Sequence, residues 1–591
     1  MRYKIIIFFV FIFYFVLIYR TYDLSIVSNK KYLNLSKDNY TKVVPIAPVR
    51  GIIFDRFGNA LAFNELRFDL DLRPHLKKKE LKSTINDIAD VMDVNQTKLY
   101  SIYRNQDSLY DNKDIPVIKY INEDTVFKIE PVLSLNPNIS FKTVYFRKYP
   151  YKYFLSNILG YVARASVNDI KKNKVIKYTQ IAGKRGIEAY YDNILQGVAG
   201  KKIEIVNARN RVLKVVKYIP PKSHNIVLSV DTNLQKHIYN KMMKEKAKGA
   251  VIVMRTDGEI LALVSAPSYD NNLFVKGISY KKWNELSHNI YNPLLNKPVS
   301  GVYPPGSTVK PAEALGAIVS GKWNPWKKIE CPGFLEIGHR KFRDWDPFGH
   351  GKTDVIKAIK ESVDTYFYQV GLKLGINYLS KIFKQMGFGK KTGIDLPNEK
   401  SGIVPSREWK EKRYHQPWFL GDTVNTSIGQ GYFLVTPIQI AVNTALLASG
   451  KLPKPFIVKK IDNNLTKPVL KDVLNKKEKK SLWIVRKGMW EVCNAPGGTA
   501  TRHIHTKITI AGKTGTAQVY YVPQVVKQRK KESELTYFHR SHSWLTTFGP
   551  YKDPQFVVTV LIEHGGHQGG KIAGEIVSYV YNYLVDKGYI K

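Results

Sequence analysis

Ser307 and Lys310 stand three residues apart at the start of a run that reads as a buried helix, so their side chains share one face. That pair can supply a nucleophile and its base. A serine hydroxyl is unreactive at neutral pH unless a neighbour takes its proton, and a lysine can take it only when burial or a second cation lowers its pKa. Backbone N–H groups at the helix start would add donors for a developing oxyanion. Two other Ser-x-x-Lys tetrads, Ser28 to Lys31 and Ser279 to Lys282, read as solvated polar segments. Only the tetrad at 307 follows a Tyr303-Pro304-Pro305-Gly306 turn and opens an apolar stretch, Thr308 to Val319.

Such a pair still needs groups that polarise the substrate, return the proton and grip the substrate backbone. Ser362-Val363-Asp364 lies in a segment, Ala358 to Gly375, that otherwise reads as helix. Lys513-Thr514-Gly515-Thr516 follows Ile508-Thr509-Ile510-Ala511, which reads as a strand. There Gly515 removes a side chain where a substrate backbone could add to a sheet edge, and Lys513 offers a charge for a carboxylate. A second Lys-Thr-Gly, Lys391 to Gly393, runs into Ile394-Asp395-Leu396-Pro397 and reads as a loop. Cys331, Asp344 and His350 fall within twenty residues that lead to Ser362. Their types suit a metal, and equally a small core thiol beside ordinary loop residues.

These residues need a scaffold, and from about residue 225 the chain reads as one enzyme-like domain. Ile226 to Asp231 predicts a strand and a helix cap. Gly249 to Met254 and Ile260 to Ser265 flank Asp257-Gly258, a hairpin signal that makes the first central strands antiparallel. Upstream, Arg50 to Ala62 alternates about a Gly58-Asn59 turn and predicts a hairpin. Residues 75–145 mix lysine-rich helical stretches with polar loops and read as an inserted subdomain. Residues 183–200 carry glycines that suggest tight turns.

Ile5 to Tyr19 is an unbroken apolar and aromatic run between Arg2 and Lys4 on one side and Arg20 on the other. As helix it would span about 22 Å, so Tyr3, Thr21 and Tyr22 must complete a membrane crossing while Lys4 and Arg20 snorkel. No small-residue cleavage site follows, which favours an uncleaved signal anchor over a signal peptide. The formal charge of +43 over 591 residues is spread along the chain, with no nucleic-acid-binding motif, so a solvated basic surface facing acidic headgroups is the expectation rather than a nucleic-acid partner. Two cysteines, Cys331 and Cys493, allow one disulfide but no framework.

The ordered set Ser-x-x-Lys, Ser-x-Asp, Lys-Thr-Gly resembles the pattern of penicillin-binding proteins and class A β-lactamases. The flanks resemble most closely the class B penicillin-binding proteins of the elongation type. Carrying that likeness are Tyr303 to Pro311, Asp344-Trp345 with Gly349-His350-Gly351, Asp364-Thr365-Tyr366-Phe367-Tyr368, Gly429-Gln430-Gly431-Tyr432 with Thr436-Pro437 and Gln439, and Gly512 to Gln518. The resemblance implies an α/β (α+β) architecture: a transmembrane anchor over residues 1–22, a β-rich pedestal over 23–224, and a transpeptidase domain over 225–591 with a central antiparallel sheet flanked by helices. It implies a D,D-transpeptidase outside the cytoplasmic membrane that cross-links peptidoglycan stem peptides. Ser307 would attack the carbonyl between two terminal D-alanines and Lys310 would take its proton. Ser362 would pass a proton to the leaving D-alanine, Lys513 and Thr514 would hold the carboxylate, and the N–H groups of Ser307 and Thr516 would form the oxyanion hole. β-Lactams should acylate the same serine. Implied partners are the membrane, a SEDS-family glycosyltransferase and scaffold proteins of the rod complex. A carboxypeptidase, a β-lactamase, a division-type relative or a β-lactam receptor without turnover are the alternatives, and the long pedestal and single anchor weigh against most of them.

The chain departs from the family pattern in two places. Asp364 stands where many relatives have asparagine, which would put a carboxylate near Lys310. Asn157 replaces a histidine of the pedestal motif. The chemistry implies no cofactor, but elongation-type relatives can hold a structural zinc near the middle motif. Here Asp344 and His350 match its ligands, Cys331 stands in for an aspartate and Val363 for a cysteine, with His339 a candidate fourth ligand.

Overall fold

In the computed structural model, which describes residues 2–110, 113–207, 212–520 and 532–590, the N-terminal apolar run is helical from Arg2 to Tyr22. A helical stretch long and apolar enough to cross a membrane extends from Tyr3 to Val27, with none of its residues buried. At 1.5 Å per residue, that length removes the shortfall of the fifteen-residue apolar core.

The chain forms two units. The first comprises residues 1–51, 165–181 and 193–224. It holds the anchor and a three-stranded antiparallel sheet in the order Thr41–Ile46, Gly200–Val206, Val212–Ile219.

The second unit comprises residues 52–164, 182–192 and 225–591. The hairpin read about Gly58-Asn59 is present: Ile53 pairs with Ala62, Gly58 has a φ of +90°, and Asp55 Oδ1 accepts from the N–H groups of Phe57 and Asn59. The long strand Ala60–Leu72 continues into a lobe in which it pairs with Ile115–Ile121 and Ile139–Lys148. Helices Lys78–Met92, Gln96–Gln106 and Glu123–Leu133 cover it through Leu81, Ile85, Leu99, Tyr103 and Val126. Their lysines lie on the outer faces, as amphipathic spacing dictates.

The catalytic part of this unit begins at Ile226–Leu228. Asp231 then caps helix α1 (Thr232–Lys244) by accepting from Asn233 and Leu234 N–H. Strands β1 (Gly249–Arg255) and β2 (Ile260–Ala266) form the expected antiparallel hairpin. Helices α2 (Lys310–Val319), α3 (Asp364–Leu374), α4 (Arg407–Tyr414), α5 (Leu420–Ser427), α6 (Pro437–Ser449) and α7 (Lys476–Asn494) follow. The chain then returns to the sheet with β3 (Ala511–Ala517), β4 (His542–Gly549) and β5 (Phe556–Ile562), and closes on α8 (Gly566–Asp586). The sheet order is β2-β1-β5-β4-β3, all antiparallel, so β3 is an edge. Both faces are covered by helices, which is why β1, β2 and β5 are nearly continuous apolar runs and why these strands and β4 bury almost every residue.

Three local readings need correction. The strand over Ile508 to Ala511 lies three residues later, at Ala511–Ala517, so the Lys-Thr-Gly is inside the edge strand, with Lys513 opposite Thr546. The segment Ala358 to Gly375 is not one helix: Val355–Lys360 and α3 are separated at Ser362, whose φ is +59°. Cys331 and Cys493 are both free and buried, so no disulfide forms.

Candidate active site

Ser307 sits on a single 3₁₀ turn, Gly306–Val309, that runs directly into α2 at Lys310. Three glycines let three backbone segments stack there. Gly306 has a φ of +54°, and a Cβ on it would lie 2.7 Å from Thr516 O. A Cβ on Gly429 would lie 2.3 Å from Gly306 O, and the Gly306 N–H donates to Gly429 O at 2.9 Å. A Cβ on Gly515 would meet the Thr308 methyl at 2.9 Å and Pro305 O at 3.2 Å. Gly515 thus makes room for the turn that bears Ser307, a contact that the reading of an open strand edge did not include. Trp544 Nε1 donates to Pro304 O at 3.1 Å and fixes the other end of the turn.

The structure brings together the other residues of the three motifs. Lys310 is fully buried, and its Nζ donates to Ser362 O at 2.7 Å and to Asp364 Oδ1 at 2.6 Å, with Ser362 Oγ at 3.4 Å. None of these bonds goes to Ser307. Lys513 Nζ, also fully buried, donates to Ser362 Oγ at 2.8 Å and to Thr514 O at 2.9 Å. The Ser362 hydroxyl therefore lies between two amines. Its left-handed backbone, costly for a serine, is what turns it there. Burial pushes the Asp364 carboxyl up, and the charge of Lys310 opposes that shift. Burial, followed by the charge of Lys310, holds the Lys513 amine well below the usual lysine range. Thr514 Oγ1 is hydrogen-bonded to Thr499 Oγ1 at 2.6 Å, and Thr516 O accepts from Gln430 Nε2 at 3.3 Å. The second Lys-Thr-Gly is a loop in which Glu399 accepts from the N–H groups of Thr392 and Gly393, while Lys391 points to solvent.

Asp344 and His350 meet, but not as a metal centre. His350 Nε2 is 3.2 Å from Asp344 Oδ1 and Nδ1 is 2.9 Å from Glu361 Oε2, so both ring nitrogens are engaged. Asp344 Oδ2 accepts from Thr365 N–H and Oγ1 at 2.8 and 3.0 Å, capping α3. Burial pushes the Cys331 thiol up to about 11, away from the thiolate that a metal requires. Among the described residues no three His, Cys, Asp or Glu side chains converge on a metal position. The zinc expected at Cys331, Asp344 and His350 does not fit these residues: hydrogen bonds occupy the donors that would bind it.

A family model for the penicillin-binding protein transpeptidase domain matches residues 249–582, and one for the penicillin-binding protein dimerisation domain matches residues 45–228. The chain belongs to the penicillin-binding protein family. It is similar to the peptidoglycan D,D-transpeptidase MrdA of Escherichia coli (strain K12), at 34% identity over 96% of this chain and 92% of that protein. The MrdA protein of Haemophilus influenzae is also 34% identical, over 97% and 89%. Among solved structures, the complex between PBP2 and MreC from Helicobacter pylori matches with a TM-score of 0.86 and 42% identity, covering 93% of this chain and 99% of that one. A structure described as a peptidoglycan synthase complex coordinating polymerization and crosslinking matches with a TM-score of 0.70 and 26% identity, over 100% and 99%. This penicillin-binding protein is of the PBP2, elongation type, and its family needs no cofactor.

Three residues at or next to this cluster in the penicillin-binding protein carry little or no signal in the sequence. Thr499 follows Gly497-Gly498 just after α7, and that turn signal could have drawn attention to it. Gln430 lies inside the Gly429-Gln430-Gly431-Tyr432 motif, where nothing in its type points to the contact with Thr516. Glu313, one turn after Lys310, is fully buried with no hydrogen-bond partner on either carboxyl oxygen, and burial pushes its pKa well up. Nothing in its helical spacing sets it apart.

Proposed function

We propose that, in this peptidoglycan D,D-transpeptidase of the elongation type, Ser307 is the residue acylated by the stem peptide. The observation that carries this is the convergence of Lys310, Ser362 and Lys513 beside a turn that three glycines press against the edge strand β3. The stem peptide adds antiparallel to β3, with its terminal carboxylate at Lys513 and Thr514. Ser307 Oγ attacks the carbonyl of the D-Ala-D-Ala bond as its proton passes to Lys310. The tetrahedral oxyanion takes hydrogen bonds from Ser307 N–H and Thr516 N–H. Ser362, within reach of both amines, delivers the proton to the departing D-alanine nitrogen, the C–N bond breaks and the acyl-enzyme remains. An amine of a neighbouring strand then attacks the ester, releases Ser307 and leaves the cross-link. Asp364 keeps Lys310 in place through their 2.6 Å contact.

Residues 1–22 anchor the protein, with the N-terminus in the cytoplasm. Residues 23–224 form the pedestal, with a subdomain at about 75–145, and the transpeptidase domain of residues 225–591 works outside the cytoplasmic membrane. The apolar helix and the placement of the two family matches support this division. A SEDS-family glycosyltransferase and a rod-complex scaffold are the partners that the similar solved complexes support. Fluorescent penicillin is the test. It should label the wild type and Ser279→Ala but not Ser307→Ala, and labelling that survives in the Ser307 variant would overturn the assignment.

A further inference from the structure

Helix α4 (Arg407–Tyr414) inverts the usual pattern: the one residue it buries is Lys410, while Trp409 is half-buried and Tyr414 is 45% exposed. An amphipathic helix ordinarily hides its aromatics and shows its lysines. The buried Lys410 Nζ is locked on Asp422 Oδ2 at 2.6 Å, and it lies 4.6 Å from the ring centroid of Phe419 and 5.5 Å from that of Tyr432. Through Tyr432 it touches a surface of three rings. Trp409 and Tyr432 have centroids 5.4 Å apart, Tyr414 and Tyr432 5.2 Å, and Trp409 and Tyr414 5.6 Å. An ion pair with so buried a lysine is a poor source of stability and is better explained by the rigidity it gives Tyr432.

The same surface is joined to the catalytic cleft. Tyr432 is two residues from Gln430, which reaches Thr516 O, and three from Gly429, which holds Gly306 beside Ser307. An acyl donor laid along β3 leaves the cleft past Thr516 at about 3.3 Å per residue, so a few residues carry its sugar end about 10 Å from the reacting carbonyl. Gln430 ties the loop that bears Tyr432 to that end of β3.

We propose that the Trp409, Tyr414 and Tyr432 surface is a subsite for pyranose rings of the donor strand, an inference that rests on Ser307 being the acylated residue. Rigid aromatic faces are suited to the apolar C–H face of a sugar, whereas a charged peptide side chain would call for a free counter-charge and the central lysine here is committed to Asp422. The subsite gives the enzyme a preference for stem peptides still attached to glycan.

The test compares acylation of the full-length enzyme in detergent by a disaccharide-linked stem peptide and by the same peptide without sugar. The wild type should prefer the sugar-bearing donor at least about tenfold in kcat/KM. Tyr414→Ala, an exposed truncation, and Trp409→Ala should bring that ratio close to one through a raised KM, and Tyr414→Phe should keep it. Thermal melts of each variant establish that it is folded. Equal rates with the two donors in a wild-type enzyme that labels with penicillin overturn the subsite and leave Ser307 standing. A wild-type enzyme that does not label overturns both.

Discussion

Lys310 Nζ lies 2.6 Å from Asp364 Oδ1, so the candidate general base rests in a buried ion pair. A second amine, Lys513, stands on the other side of the Ser362 hydroxyl, and burial together with the charge of Lys310 disfavours its protonation. In the proposed reaction a substrate carboxylate arriving at Lys513 would add a counter-charge there, which would tie recognition of the D-alanine terminus to the electrostatics of the proton transfer.

The cost of burying Lys513 is measurable as stability. Between its depressed folded pKa and its ordinary value of 10.5 the unfolded chain binds more protons than the folded one, so this group's contribution rises with pH across that window. Lys513→Met should slow penicillin acylation about 100-fold or more, raise Tm at pH 7 by about 2 °C, and lose that advantage as the pH approaches 10.5. Lys391→Ala should do neither. Equal loss of acylation in both variants would return the choice between the two Lys-Thr-Gly copies to the loop.

Glu313 has the opposite sign. Its folded pKa is raised well above the usual 4.5, so between those values the folded state holds the extra proton, and stability falls as the pH rises. With both oxygens unpartnered, Glu313→Met should raise Tm at pH 8 by roughly 2 °C and give no gain at pH 4.5. Parallel melting curves for the two proteins across that range would show that Glu313 is ionised in the fold.

The elements with a period were legible in the sequence. The apolar run of α2, the β1–β2 hairpin about Asp257-Gly258 and the hairpin at Gly58-Asn59 each declare themselves through spacing and turn residues. The order of the three motifs gave the family. What could not be read is where distant segments touch. The break at Ser362 has no glycine or proline to announce it, because a serine in the left-handed region is held there by its partners Lys310 and Lys513 rather than by its own preference. The displacement of β3 from 508–511 to 511–517 follows from pairing with β4, a register that the alternation of Ile508 and Ile510 does not contain. The contact of Gly515 with Thr308 is likewise a fact of packing.

That last contact predicts a position-specific defect. A methyl at 515 would sit 2.9 Å from Thr308 Cγ2 and 3.3 Å from Thr308 N, so β3 and the turn bearing Ser307 must separate by a few tenths of an ångström. Gly515→Ala should slow acylation roughly 10- to 100-fold, since small misplacements of a reacting group cost that much. Thr308→Ser removes the opposing methyl and keeps the 2.8 Å bond from Oγ1 to Pro305 O, so the double variant should recover part of the loss. No recovery would mean that the strand edge itself, not the turn, fails.

The loop bearing Asp344 and His350 is tied to α3 by hydrogen bonds, and this makes metal dependence testable. Zinc at this place would need His350 Nε2 free, a thiolate at Cys331 and an open carboxylate at Asp344. Instead the imidazole is held between Asp344 and Glu361, the thiol is pushed up to about 11, and Asp344 Oδ2 caps α3 through Thr365. Because α3 starts at Asp364, the cap sets the position of the carboxylate that holds Lys310. Asp344→Ala should therefore lower acylation about tenfold and cost about 1–2 kcal/mol, the usual loss for a removed helix cap. Dialysis of the wild type against a chelator should change neither Tm, within about 1 °C, nor penicillin labelling, and Cys331→Ser should behave like the wild type in both assays. Zinc present at more than about a tenth of an equivalent, and lost on Cys331→Ser, would show that the loop opens to take a metal.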